Sequence, residues 1–516
     1  YKPRVKADNQ GAYVIWYDLR NNNGATPVNN DLYIQRLTVD TGLVWDNELA
    51  IAETDVSSGL SHAPDHSEAR LTADGMGNAY VVWMDDRIIE GDYDISIQHI
   101  NSSGDILLAD NGYKISSATN TQESPIVRQD GNGGSFIIWG DKRFGSIGIY
   151  AQHILEENIS LTQDGKEFFW GIDGNTVSSY ATKPNSLYLG NNQAIISWPD
   201  QRFGQDLKNF GQKIYTGWSD SENSDGYKLS NSQAQDYPVL GNIGENIIHV
   251  FPDISSDVKL KYQLLDQDLN FIGNDEGNLV HPSSNSPQFY NSFSLENISD
   301  GSTFLAFSEL EGWAAFNIFI QKFNSSGTPV FSNPMSVTSD INADENVRNI
   351  YDITGQGLMI IYDSESAFTG YKVKAIAVDY SGNVLSGWGD GINICNVESN
   401  QTYLSSTNIT QNGNNGVFVL WNDGRGDGDD IYGQMIDING NILGVADGIP
   451  IASYASYQQN PSMVYNEELN EIFICWEDYV QSSYYDISCR ILDVDNLILN
   501  DIFQVAEVVS ANQINP

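Results

Sequence analysis

The densest run of ligand-type side chains is Asp423-Gly-Arg-Gly-Asp-Gly-Asp-Asp430, where carboxylates alternate along a glycine-rich turn. Hard cations such as calcium draw several oxygens from turns of this kind. Asp423, Asp427, Asp429 and Asp430 are therefore the candidate calcium ligands. Counted as an EF-hand loop from Asp423, the sixth residue is Gly428, as required, but the twelfth is Gln434 instead of glutamate. Arg425-Gly426-Asp427 is also the tripeptide that integrins recognise, although the surrounding repeat already supplies Arg-Gly.

A carboxylate and a guanidinium two residues apart could form a catalytic pair. Trp-x-Asp-x-Arg occurs five times, with pairs Asp18/Arg20, Asp85/Arg87, Asp141/Arg143, Asp200/Arg202 and Asp423/Arg425. Five copies argue against one private site, so these residues are expected to brace a loop through Arg–carboxylate hydrogen bonds. His99 and His153 share a repeat position that elsewhere holds Arg36, Lys213, Lys322, Met435 or Arg490, which suits a strand surface. His62-Ala-Pro-Asp-His66 brings two imidazoles and a carboxylate together, but Pro64 excludes the helical spacing of zinc enzymes.

Cys475 and Cys489 flank the last hairpin symmetrically and are expected to face each other as a possible disulfide. Cys395 is expected to be a buried thiol. Trp170, Trp218, Trp313 and Trp388 lie outside the repeated tryptophan position and are the candidates for stacking on a sugar, with packing between repeats as their alternative.

The elements that would position these residues follow a single rule. A β-branched and aromatic run ends on Trp16, Trp83, Trp139, Trp198, Phe251, Phe307, Tyr362, Trp421 and Trp476, at intervals of 53 to 67 residues. Glycine-rich turns such as Asp74-Gly-Met-Gly-Asn precede the run, and a polar loop and a strand such as Ile149-Tyr-Ala-Gln-His-Ile follow it. Four short strands per unit without helical periodicity predict an all-β fold, a single β-propeller of about nine four-stranded blades. Eight blades plus an extra unit, or a solenoid, are the alternatives. The units run approximately over 1–63, 64–124, 125–183, 184–237, 238–286, 287–346, 347–402, 403–460 and 461–516 of one propeller domain. Trp-x-Asp-x-Arg is lost between 238 and 400, where divergence of function is expected.

Trp421-x-Asp-x-Arg-Gly…Asp430-Ile-Tyr and Trp83-x-Asp-x-Arg…Asp94-Ile-Ser resemble the hairpin of TolB-type (PD40-like) repeats of secreted and cell-surface bacterial propellers. The resemblance implies export and a binding or scaffolding role, and it carries no catalytic positions. The third-strand glutamine, as at Gln98 and Gln434, departs from the simplest TolB repeat.

Among 516 residues, 68 are acidic and 25 basic, a net charge of −43 that disfavours nucleic acid and anionic lipid as partners. No apolar run is long enough to span a membrane, and the chain begins without Met, as expected of a mature secreted product. Together these features predict a non-enzymatic extracellular module for adhesion, scaffolding or surface structure. Its partner would be a protein or glycan at the cell surface, or further copies of itself in a fibre. A carbohydrate-binding or sialidase-like propeller is the alternative, although the Asp-box Ser-x-Asp-x-Gly-x-x-Trp is absent. No cofactor is expected, apart from calcium at the aspartate loop.

Overall fold

The computed structural model describes residues 3–18, 30–53, 66–89, 91–143, 145, 147–154, 166–169, 185–190, 193–200, 207–215, 226–233, 239–254, 258–282, 292–311, 315–367, 369–426, 428–481, 484–505 and 513–514. They form a nine-bladed β-propeller, each blade an antiparallel sheet whose first four strands follow chain order. Blade 1 comprises Arg4–Ala7, Ala12–Asp18, Asp31–Thr38 and Gly42–Leu43. Blade 8 comprises Gln401–Gln411, Asn414–Asp423, Asp430–Asp437 and Ile442–Leu443. Two compact units divide the chain: residues 1–205, 210–227 and 459–516, and residues 206–209 and 228–458.

The second strand of each blade is its core. Ala12–Asp18 and Ser135–Asp141 are buried along their whole length. Such strands are covered on both faces, which is why they read as unbroken apolar runs. In blades 2 and 8 the aromatic that ends the run packs beneath a glycine that leads into the blade's last strand. A Cβ at Gly112 would stand 2.3 Å from Trp83, and one at Gly448 2.9 Å from Trp421. Only a residue without a side chain leaves room for the indole.

Within the first unit, neighbouring blades are tied by buried tyrosines three residues before the tryptophan. Tyr13 donates its hydroxyl hydrogen to the Gly77 carbonyl at 2.8 Å, and Tyr80 to that of Gly133 at 3.0 Å. Blade 9 joins blade 1 in the same unit. Asn466 donates to the carbonyls of Asp8 and Gly11, and Gln513–Ile514 pairs with Tyr17 and Asp18 of the second strand of blade 1.

Within the second unit, Ile360, Tyr362, Val373, Ile376, Trp388, Val419 and Trp421 are part of one continuous core. Blade 7, which lacks Trp-x-Asp-x-Arg, replaces its bracing. Tyr362 and Lys374 both donate to the Asp390 carbonyl, at 3.3 and 3.4 Å, and Lys374 reaches Glu345 at 3.3 Å.

Candidate functional site

The first strands of blades 1, 2 and 3, Arg4–Ala7, His66–Ala73 and Gln122–Gln129, pack side by side. Three of the blades carry the same irregularity at the start of this strand. A β-bulge after Ser67, Glu123 and Thr402 puts Glu68, Ser124 and Tyr403 at φ of 50°, 54° and 51°. Bulges of this kind turn the strand and re-aim the side chains that follow. In blade 2 the first residue past the bulge is Arg70.

Register shows which side chains share a face. Arg4, Arg70 and Ile126 each pair with the residue before, or the equivalent of the residue before, their blade's tryptophan. Two residues on, and so on the same face, stand Lys6, Thr72 and Arg128. The same two positions hold Asn185 and Leu187 in blade 4, Val239 and Gly241 in blade 5, and Ser294 and Glu296 in blade 6. They hold Asn349 and Tyr351 in blade 7, and Ser405 and Thr407 in blade 8. Across these eight blades, the cations at the two positions are confined to blades 1–3.

These four cations line a groove. A cavity of about 570 Å³ is bounded by Pro3, Arg4, Val5, Lys6, Arg70, Leu71, Ile126, Val127 and Arg128, with Ser462 and Met463 of blade 9. A second cavity of about 790 Å³ shares Lys6, Leu71 and Arg128 with it and adds Asn9, Gln129, Tyr188, Tyr465, Glu467 and Glu468. Tyr188 keeps 38 % of its surface exposed and donates its hydroxyl hydrogen to the Asp130 carbonyl at 3.1 Å. The Tyr465 hydroxyl lies 2.7 Å from Asn470 Oδ1. Glu467 and Glu468 are exposed on the turn that follows the first strand of blade 9. Asp8 is buried and committed to Arg36 at 2.8 Å, so its carboxylate is already paired.

Most of these cations lack a carboxylate partner among the described residues. Among the described residues none pairs with Arg4, Lys6 or Arg128, and Arg70 has only Glu68 at 3.5 Å. Arg4 Nε is buried without a hydrogen-bond partner. Loss of hydration, then the charge of Arg70, holds the Arg4 guanidinium down at about 10. Lys6, although exposed, is likewise lowered by partial loss of hydration in the groove and by Arg128 and Arg4, and Arg128 by partial loss of hydration and Arg70. A groove with this charge favours an anion.

The residues singled out from the sequence take other places. Asp423 Oδ2 accepts from the Trp421 indole at 2.9 Å and Arg425 Nη2 at 2.5 Å, and Oδ1 accepts from Ser399 at 2.6 Å. The Arg425 guanidinium then lies 3.8 Å from the centre of the Tyr432 ring. Asp141 and Arg143 repeat this at 2.5 Å, with the guanidinium 4.0 Å from the Tyr150 ring. Arg87 is paired with Asp85, Asp200 accepts from Trp198 at 3.2 Å, and Asp18 is buried. Arg20 and Arg202 lie outside the described residues. Asp430 is buried, Asp429 gives its carbonyl to Gln458 N at 2.7 Å, and Asp427 lies outside the described residues. Among the described residues no three His, Cys, Asp or Glu converge as a metal site.

Cys475 and Cys489 are joined by a disulfide, and Cys395 is a buried free thiol 3.1 Å from Arg425 Nη2. Trp388 is buried and donates to the Ile438 carbonyl at 3.0 Å, so it has no face to offer a sugar. Trp170, Trp218 and Trp313 lie outside the described residues. Sequence reasoning missed the groove. The available signal was four cations in the first strands of blades 1–3 of a chain with only 25 lysines and arginines.

No protein-family model matches the chain, and no curated protein matches it. Solved structures do. A polysaccharide lyase, an ulvan lyase, is similar at 9 % identity and TM-score 0.38, over 71 % of this chain and 91 % of the other. A protein of unknown function from Dyadobacter fermentans is similar at 7 % identity and TM-score 0.37, over 83 % and 94 %. An α-L-arabinofuranosidase from Clostridium thermocellum is similar at 12 % identity and TM-score 0.28, over 53 % and 96 %. At these values the likeness speaks to the fold alone.

The expectation from the sequence that the chain is not an enzyme does not stand, since similar propeller folds include enzymes and the fold alone excludes none. The expectation rested on repetition leaving no private constellation. That premise fails in the groove, where blades 1–3 differ from the others.

Proposed function

We propose that the chain is a carbohydrate-active propeller that takes a saccharide into the groove beside the first strands of blades 1–3. The lining of the 790 Å³ cavity carries the reading: two tyrosines, the amides Asn9, Gln129 and Asn466, and the carboxylates Glu467 and Glu468. Sugars present apolar ring faces and many hydroxyls, and tyrosines with amides and carboxylates satisfy both. Within this reading, Glu467 and Glu468 are the exposed carboxylates available for proton transfer.

The Cys475–Cys489 bridge supports export, since such bonds persist in oxidising compartments. The likeness to TolB-type exported propellers points the same way. The test is calorimetric binding of a panel of neutral and acidic oligosaccharides, together with an assay of the same panel for new chain ends. Binding lowered at least roughly tenfold by Tyr188→Ala, the scale of a lost stacking contact, is expected. Failure of every saccharide to bind would sink the reading.

A further inference from the structure

We infer that Arg4, Lys6, Arg70 and Arg128 form a subsite for an anionic substituent, a carboxylate or sulfate ester, of the saccharide in the groove. The inference rests on the glycan reading and names the class of glycan. Four cations on one face of three adjacent strands repel one another, which costs the fold. Elsewhere several cations of this acidic chain meet a carboxylate: Arg36 meets Asp8, Arg143 meets Asp141, and Lys261 meets Asp253. Here, among the described residues, three of the four have no carboxylate, and Arg4 Nε is a buried donor without an acceptor.

A buried donor left unmade costs more than an average hydrogen bond contributes, so the missing acceptor is expected from a ligand. Guanidinium groups match the planar, two-oxygen edge of carboxylate and sulfate. The opposite end of the same groove bears Tyr188 and exposed Glu467. An acidic group is repelled there and a neutral sugar face is accepted. The groove thus has a direction, with the anionic residue of the glycan toward Arg4 and Arg70.

The subsite is tested by titration calorimetry on the full chain with four probes: oligogalacturonate, sulfated dextran oligosaccharide, unmodified dextran oligosaccharide and inorganic sulfate. Arg128→Gln and Lys6→Gln are the variants, since both side chains are exposed and their loss spares the core. Thermal melts confirm that each still folds. At least one acidic oligosaccharide is expected to bind roughly tenfold or more above unmodified dextran, to weaken as salt rises, and to lose roughly tenfold in either variant. The carboxylate and sulfate arms identify which anion is preferred.

Equal affinity for acidic and neutral probes, unchanged by the variants, would overturn the subsite and leave the glycan reading standing. Inorganic sulfate binding as tightly as any oligosaccharide, with Tyr188→Ala without effect, would keep an anion site and remove the glycan. Binding of none of the four would overturn both.

Discussion

Glu471 and Asp493 stand directly opposite each other across the central hairpin of blade 9, two carboxylates at paired positions. Partial burial, then the charges of Asp493 and Asp495, pushes the Glu471 carboxyl up to about 7. The folded chain therefore holds a proton that the unfolded chain gives up at about 4.5. Between those values the unfolded state binds fewer protons, so stability falls as pH rises and levels off above 7. Glu471→Gln removes the penalty. It is expected to stabilise the protein by about 1–2 kcal/mol at pH 8, after allowance for solvent screening at this half-buried site, with no gain near pH 4.5. Urea denaturation of both proteins across this range checks it, and a gain independent of pH would refute the pairing as its cause.

Four residues further along the same face of that hairpin, Cys475 pairs with Cys489. The bridge closes a short loop inside blade 9 and is wholly buried. Replacing both cysteines with serine is expected to cost about 2–4 kcal/mol, part from the freed unfolded chain and part from burying two hydroxyls. Thiol titration gives an independent readout. Denatured, unreduced protein should yield one thiol, Cys395, and reduced protein all three.

Two glycines with similar backbone but different surroundings separate packing from strain. Gly112 has φ +84°, and an added Cβ would stand 2.3 Å from the Trp83 ring. Gly145 has φ +91° and nothing within 4 Å of an added Cβ. Gly145→Ala is therefore expected to cost only the left-handed conformation, about 1 kcal/mol. Gly112→Ala must also displace a buried indole and should cost about 3 kcal/mol or more. Equal shifts of the two melting temperatures would show that Trp83 does not rely on this glycine.

Repetition made the blade legible in the sequence and made the groove hard to see. Trp421, Asp423, Arg425 and Tyr432 recur together because indole, carboxylate, guanidinium and phenol form one stacked and hydrogen-bonded set. Each copy strengthens the signal, so architecture could be read from spacing alone. Gly112 beneath Trp83 escaped notice because the link to the fourth strand varies in length between blades. Arg4, Arg70 and Arg128 escaped for a different reason. They belong to three blades, and the turn between the first and second strands is one residue shorter in blade 1 (8–11) than in blades 2 and 3 (74–78 and 130–134), which shifts their offset from the tryptophans. Alignment on the tryptophans hid a constellation that only the paired register brings to one face. The relaxed repeats between 238 and 400 drew attention because they break the rule. In blade 7 the break is a substitution of bracing, with Lys374 and Tyr362 on the Asp390 carbonyl.

His249 supplies the acid limit of the second unit. Its Nδ1–H donates to the Leu229 carbonyl at 3.2 Å, which leaves Nε2 to accept from Asn209 Nδ2 at 3.2 Å. The ring is fully buried and stacks 4.6 Å from Phe251. Burial lowers its pKa to about 3, and a proton on Nε2 would point at the Asn209 amide hydrogens. The unfolded chain takes up this proton near 6.5, so stability present above 6.5 is lost as pH falls toward 3. The slope from this one group is about 1.4 kcal/mol per pH unit. His249→Gln keeps a donor and an acceptor but no titrating ring. The variant is expected to be about 1–3 kcal/mol less stable at pH 7 from lost packing, with a shallower decline in acid, so that the two curves converge toward pH 4. Parallel curves down to pH 4 would place the acid sensitivity elsewhere.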